Sequence, residues 1–263
     1  MKKIVPAFVF FSVVISTGCT NNDNPPIPPP PPTPSIAYSV VATHPHDTSS
    51  FTEGLEFYKG MLIESTGLKE KSKLIQYDLQ TGKADKQLEL EDRFFGEGVT
   101  VFRDTAYQLT YQESTVHVYD AKTFKKIKEL PFTGEGWGLT HDSAALIATN
   151  GSNNLYFYEP GTMKLLRQTE VNEGGAPAVN LNEVEFINGY VYANQWQMNY
   201  ILKIDPVKGE VVAKMDLSSI KKQETEQNPK AEVLNGIAYN PETKKFYITG
   251  KNWAKIYELQ FTL

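Results

Sequence analysis

Glu97 lies between two glycines in the run Phe94-Phe95-Gly96-Glu97-Gly98-Val99-Thr100, at the mouth of a predicted β-strand. A carboxylate so placed can position an amine, take its proton and pass it to a leaving group. Taken singly, a glutamate between glycines is more often a turn residue. Here the pattern recurs four more times. The residues aligned with Glu97 are Glu53, Trp137, Asn182 and Asn235, and 14 to 16 residues further on in each unit come Gly67, Tyr111, Gly151, Trp196 and Lys251. A repeat that only packs would carry the same small or apolar residue at each equivalent place. Carboxylates, amides, indoles and one lysine stand there instead, and that variety is the functional signal.

The elements that must position these residues are β-strands. The five units start about 44, 40, 45 and 53 residues apart, the spacing of four-stranded propeller blades. First strands begin near Glu53-Gly54-Leu55, Glu97-Gly98-Val99, Trp137-Gly138-Leu139, Asn182-Glu183-Val184 and Asn235-Gly236-Ile237. Second strands are expected at Met61 to Ser65, Ala106 to Tyr111, Ala145 to Thr149, Tyr190 to Asn194 and Lys245 to Thr249. The third strands, Leu74 to Asp78, Val116 to Asp120, Leu155 to Glu159, Ile201 to Asp205 and Lys255 to Glu258, each end in an acid. Alternating apolar and β-branched residues with Gly, Pro and Asn punctuation support this reading. The fifth unit stops after its third strand. Ile36 to Ala42 is available to supply the fourth, so an all-β, five-bladed β-propeller, closed by the N-terminal strand pairing into the last blade, is expected over residues 36–263. The Lys-, Gln- and Glu-rich insert from Ser218 to Glu232 breaks the period. It reads either as a solvated helix or loop, or as a lid over the channel mouth.

Residues 1–19 read as an export signal: Lys2 and Lys3, an apolar run from Ile4 to Ile15, and small residues ending at Gly18-Cys19. The sole cysteine, Cys19, excludes an intrachain disulfide and resembles a lipidated bacterial lipoprotein terminus, although Ser16 departs from the usual Leu. Residues 20–35 are a proline-rich tether. The expected location is the bacterial cell envelope, in the periplasm or at the outer membrane, held to the membrane only by the lipid. Net charge is −5 with no basic stripe, which argues against nucleic acid as a partner. A monomer is expected.

Seven runs taken together resemble the plant and bacterial type of glutaminyl-peptide cyclotransferase. They are Phe51-Thr-Glu-Gly-Leu55, Phe95-Gly-Glu-Gly98, Gly136-Trp-Gly-Leu-Thr140, Leu181-Asn-Glu-Val-Glu185, Ala193-Asn-Gln-Trp196, Leu234-Asn-Gly-Ile-Ala238 and Thr249-Gly-Lys-Asn-Trp253. They occur in family order and cover nearly all of the chain after the tether. The resemblance implies cyclisation of an N-terminal glutamine to pyroglutamate with release of ammonia. Glu97 would be the central acid/base, with Phe95, Trp137, Asn182, Trp196 and Lys251 around it, and neither metal nor cofactor is implied. Phe51, Glu53 and Tyr111 complete the expected substrate pocket. Peptides and proteins with N-terminal Gln are the expected partners.

The chemistry is compatible with these residues on its own terms. The reaction is intramolecular, so holding the side chain against the amine supplies much of the acceleration. Lys251, Asn182 or the Trp137 N–H could stabilise the oxyanion, and Trp196 and Trp137 could supply flat walls. Two residues depart from the family pattern: Glu53 stands where Gln is usual, and Tyr111 where Trp is usual. A second carboxylate near Glu97 should raise the pKa of one of the pair, and it could grip the substrate ammonium. Trp253 is expected to pack a blade interface. Asn235 either bonds channel backbone or serves the site. His44 and His46 have H-x-H spacing that could bind metal, but lie beside a Pro in an expected loop before blade one with no carboxylate partner evident nearby; His117 reads as a strand residue and His141 as a turn residue. Two other functions are compatible with a propeller. A non-catalytic propeller lipoprotein binding peptides or proteins could dispense with the acid. A lactonase or sugar dehydrogenase would need a metal or quinone site, for which the sequence offers no residues.

Overall fold

In the computed structural model, which describes residues 31–262, five antiparallel sheets form the blades of a propeller. The N-terminal strand β1 (Ser39–Pro45) comes first. Blade one then comprises β2 (Thr52–Tyr58), β3 (Met61–Thr66), β4 (Lys73–Tyr77) and β5 (Ala84–Glu89). Blade two comprises β6 (Gly96–Phe102), β7 (Thr105–Thr110), β8 (Thr115–Asp120) and β9 (Lys126–Pro131). Blade three has β10 (Leu139–His141), β11 (Leu146–Ala148), β12 (Asn154–Tyr158) and β13 (Leu165–Glu170). A small unforeseen hairpin, β14 (Asn172–Glu173) and β15 (Ala176–Pro177), extends the sheet of blade four. That blade is β16 (Leu181–Ile187), β17 (Tyr190–Gln195), β18 (Tyr200–Asp205) and β19 (Glu210–Asp216). Helix α1 (Ser218–Gln227) precedes blade five, formed by β20 (Leu234–Asn240), β21 (Lys245–Gly250) and β22 (Lys255–Gln260).

The fifth sheet runs β1-β22-β21-β20, so the N-terminal strand is its outermost member. The strand lies three residues later than the sequence suggests, because Pro34 to Ile36 are engaged elsewhere: Lys214 N–H donates to Pro34 O at 2.9 Å and Ile36 N–H to Lys214 O at 2.8 Å. The end of the proline-rich stretch therefore lies along β19. The expected signal segment, Cys19 and most of the tether fall outside the described residues.

Burial follows the order of strands within a blade. The innermost strand β6 is buried along its whole length, whereas the outer strands β5, β9 and β13 are largely exposed. Five apolar clusters, one per blade interface, hold the ring. Leu55 and Leu62 meet Tyr247 and Ile256; Ile63 and Leu74 meet Val99 and Tyr119; Leu109 and Val116 meet Leu139 and Leu146; Ile147 and Phe157 meet Val184 and Leu202; and Tyr192 and Met215 meet Phe246 and Trp253. A blade buries both faces only when a neighbour stands on each side, which makes the ring cooperative.

The acids ending the third strands of the first four blades have a local cause. Asp78 Oδ1 accepts from Thr81 N–H at 2.8 Å, and Gly82 follows at φ +64°; Asp120 Oδ1 and Thr123 N–H repeat the contact at 2.8 Å. These acids close the turn into the fourth strand. Helix α1 is solvated on most of its surface, but Glu224 is buried: its carboxylate accepts from Ala254 N–H at 2.5 Å and Tyr257 Oη at 2.8 Å. The insert is thus latched to blade five.

Candidate active site

The innermost strands pack in the order β20, β2, β6, β10, β16 and back to β20, which brings their starts together on one face. Four of the five carry their functional side chain at an irregularity. Pairing shifts register between Thr52 and Gly54, Gly96 and Val99, Leu181 and Val184, and Leu234 and Ile237. Glu53, Glu97, Asn182 and Asn235 sit in these four breaks. A bulge re-aims a side chain that regular pleating would direct elsewhere. Glycine then allows the strands to crowd: a Cβ on Gly98 would lie 2.4 Å from Leu139 N, and one on Gly138 would lie 2.2 Å from Asn182 O.

All nine predicted pocket residues line one cavity of ≈ 380 Å³: Phe51, Glu53, Phe95, Glu97, Tyr111, Trp137, Asn182, Trp196 and Lys251. They come from the starts of first strands and the ends of second strands, as the repeat alignment anticipates. The two glycines in the aligned set make room for aromatic rings. A Cβ on Gly67 would fall 2.3 Å from the Phe95 ring, and one on Gly151 would fall 2.6 Å from the Trp137 indole. Phe95 in turn lies edge-on to Phe51 at 6.2 Å and beside Tyr111 at 5.8 Å, while Trp137 and Trp196 meet edge-to-face at 5.7 Å. The result is a nearly continuous aromatic wall.

Three carboxyl and ammonium groups lie beneath that wall. Lys251 Nζ donates to Glu53 Oε1 at 2.5 Å and sits 4.5 Å from the centre of the Phe51 ring. Asn235 Nδ2 donates to Thr52 O at 2.9 Å and to Glu53 Oε2 at 3.2 Å, so Asn235 holds the site's carboxylate as well as its backbone. Glu97 is 5% exposed and Glu53 2%. Burial pushes the Glu97 carboxyl well above the ordinary carboxylate range; the neighbouring Glu53 charge adds to this, and Lys251 opposes it. Burial also raises Glu53, to about 7, against the pull of Lys251 and of a hydrogen bond with Glu97. Glu97 is the member that keeps the proton, because the lysine stands on Glu53. The sequence anticipated a raised pKa in this pair but not the ion pair that decides which member carries it.

Donors for a developing oxyanion are distributed unevenly. Asn182 is buried, and its Oδ1 has no partner among the described residues, so this amide is free to meet a ligand in either orientation. Trp137 Nε1 instead points to Glu135 Oε2 at 3.4 Å. Its N–H is turned toward the rim, contrary to the oxyanion role considered for it.

Gln197, Glu232 and Val233 also line the cavity and were not singled out from the sequence. The last two end the insert before β20, where no repeat counterpart exists. The ladder from Glu232 N–H to Lys251 O at 2.8 Å and from Lys251 N–H to Val233 O at 3.0 Å fastens them. Trp253 is fully buried in the interface between blades four and five, and its Nε1 donates to Glu232 O at 3.0 Å. His44 and His46 do have carboxylate partners, distant in sequence: His44 Nε2 is 3.2 Å from Glu258 and His46 Nε2 is 3.1 Å from Glu64. Among the described residues no three His, Cys, Asp or Glu side chains converge to hold a metal.

A family model for glutamine cyclotransferase matches residues 10–261. A glutaminyl-peptide cyclotransferase of Arabidopsis thaliana is 37% identical over 227 residues, 84% of this chain and 70% of that protein. The crystal structure of Myxococcus xanthus glutaminyl cyclase matches with a TM-score of 0.82 at 33% identity, over 88% of this chain and 98% of that one.

Proposed function

The chain belongs to the glutamine cyclotransferase family, and from that premise we propose that it converts the N-terminal glutamine of peptides to pyroglutamate with release of ammonia. The observation that carries the assignment of roles is the buried Glu97 carboxyl beside the Glu53–Lys251 pair, under aromatic walls.

A peptide α-amine has a pKa of about 7.7, so near neutrality a substantial fraction is free to attack. The aromatic wall of Phe51, Phe95, Tyr111, Trp137 and Trp196 holds the short side chain folded back on the amine. A bond forms between the amine nitrogen and the carboxamide carbon, and the bond from that carbon to the amide nitrogen breaks. Glu97 gives its proton to the departing nitrogen and takes the proton that the attacking nitrogen loses, so the enzyme returns to its starting state. Glu53, kept charged by Lys251, accepts a hydrogen bond from the amine. Asn182 donates to the oxygen on which negative charge develops, and Lys251 supplies positive potential. The balance needs no metal or redox cofactor. A purely binding propeller would have no need of the paired carboxyls, lysine and amide that all face this cavity.

Ammonia release from a Gln-initiated dipeptide tests this, with Glu97→Ala as control. No ammonia from the wild type overturns the enzyme assignment; ammonia undiminished in Glu97→Ala overturns the site. The N-terminal sequence supports export, lipid attachment at Cys19 and a domain held at the bacterial envelope. Cys19→Ser should then move the protein from the membrane to the soluble fraction.

A further inference from the structure

A second depression, of ≈ 530 Å³, lies between blades two and three. It adjoins the cavity across a single wall. Glu135 lines the depression, while its Oε2 faces Trp137 Nε1 at 3.4 Å and its Oε1 accepts from Gln112 Nε2 at 2.7 Å. Burial raises the pKa of the nearby Tyr111 phenol, and the Glu135 charge adds to this. Asn150 lines the depression too, and the next residue, Gly151, is the one whose missing side chain admits the Trp137 indole. One face of this wall therefore serves the cavity and the other serves the groove.

Past the wall the groove is apolar. The Phe132 and Tyr158 rings stand 5.5 Å apart, and Leu165 is 47% exposed at the groove's edge. Among the described residues, Glu135 is the only charged one lining it. Strand β12, which contributes Tyr156 and Tyr158, has five residues, so the groove can accompany an extended peptide for roughly 16 Å.

Resting on the cyclotransferase reading, we propose that this groove is a substrate subsite. It receives an apolar or aromatic side chain a few residues downstream of the N-terminal glutamine. The main cavity takes the reacting residue, and the rest of the peptide must leave it. At the shared wall Glu135 offers an acceptor for a backbone N–H, and beyond it the uncharged groove removes apolar surface from water.

The test compares wild type and Leu165→Asp on three substrates: a Gln-Ala dipeptide, a Gln-initiated hexapeptide with Leu or Phe at positions four to six, and the same hexapeptide with Ser there. Burying one large apolar side chain should raise wild-type kcat/KM on the apolar hexapeptide about tenfold over the Ser hexapeptide, mainly through KM. Leu165→Asp should remove that preference and leave dipeptide turnover unchanged. Leu165→Ser, which adds no charge, should reduce it. Equal kcat/KM for the two hexapeptides in the wild type, or a preference that survives both variants, overturns the subsite while dipeptide turnover still supports the enzyme. Absence of dipeptide turnover overturns both.

Discussion

Lys251 Nζ lies 2.5 Å from Glu53 Oε1, joining the end of blade five's second strand to the start of blade one's first. The two residues are 198 positions apart and only 7% and 2% exposed. The pair leaves Glu97, next to Glu53, as the carboxyl that holds a proton. Catalysis and closure of the ring thus share one contact.

Removing the lysine should affect both. Lys251→Met strands Glu53 as a buried charge beside a second carboxyl, and breaking such a pair from one side costs about 3–5 kcal/mol. For a domain of this size the melting temperature should fall by about 10 °C. Turnover should fall by at least about 10²-fold, the scale of losing one electrostatic contact to the transition state. Differential scanning calorimetry and ammonia assays check the two effects.

Glu53→Gln removes the nearby charge that helps raise Glu97. The Glu97 pKa should drop, so the acid form is lost at lower pH. The alkaline limb of kcat/KM should therefore move to lower pH, while the acid limb, set by the substrate amine, stays in place. A pH–rate profile with an unmoved alkaline limb would contradict the pairing argument.

The glycines behind the aromatic wall should resist even alanine. Gly67→Ala pushes into Phe95 and should raise KM about tenfold with little loss of stability. Gly151→Ala should raise KM and also cost stability, because its φ is +79°, where an L side chain is strained. Steady-state kinetics and thermal melts separate the two.

Glu224→Ala removes the buried acceptor for Tyr257 Oη and Ala254 N–H. Hydrogen bonds to a charged group are worth about 1.5–3 kcal/mol each, so α1 should loosen. Hydrogen exchange should rise across α1 and residues 228–233, and KM should rise with it through Glu232 and Val233.

Glu56 lies within the ring, where burial raises its carboxyl to about 7 from 4.5 in the unfolded chain. The folded state therefore binds more protons between these values, and stability from this group is present below pH 4.5 and lost as pH rises to about 7. Glu56→Gln should flatten the decline in melting temperature across that interval. An unchanged slope would show that Glu56 does not contribute to it.

Much of the site was legible in the sequence, for a specific reason. A propeller places equivalent repeat positions at equal height around one axis, so alignment of Glu53, Glu97, Trp137, Asn182 and Asn235 already implied convergence. The aligned glycines were not legible as partners of Phe95 and Trp137, since spacing carries no information about which ring fills which gap. Glu232 escaped because the insert has no counterpart in the other blades, and Trp137's N–H was misdirected because Glu135 draws it to the rim.

The amino-acid sequence by itself determined the five-fold repeat, the strand and turn chemistry and seven of the nine cavity residues, because these follow from local periodicity and from spacing along the chain; Phe51 and Phe95 came only with the family resemblance. Tertiary structure alone decided that Lys251 stands on Glu53 rather than Glu97, that Asn235 braces the same carboxylate, and that Glu224 latches the insert. Those contacts join segments 30 to 198 residues apart, and only closing the ring brings their charges close enough, in a medium dry enough, to set which carboxyl keeps the proton.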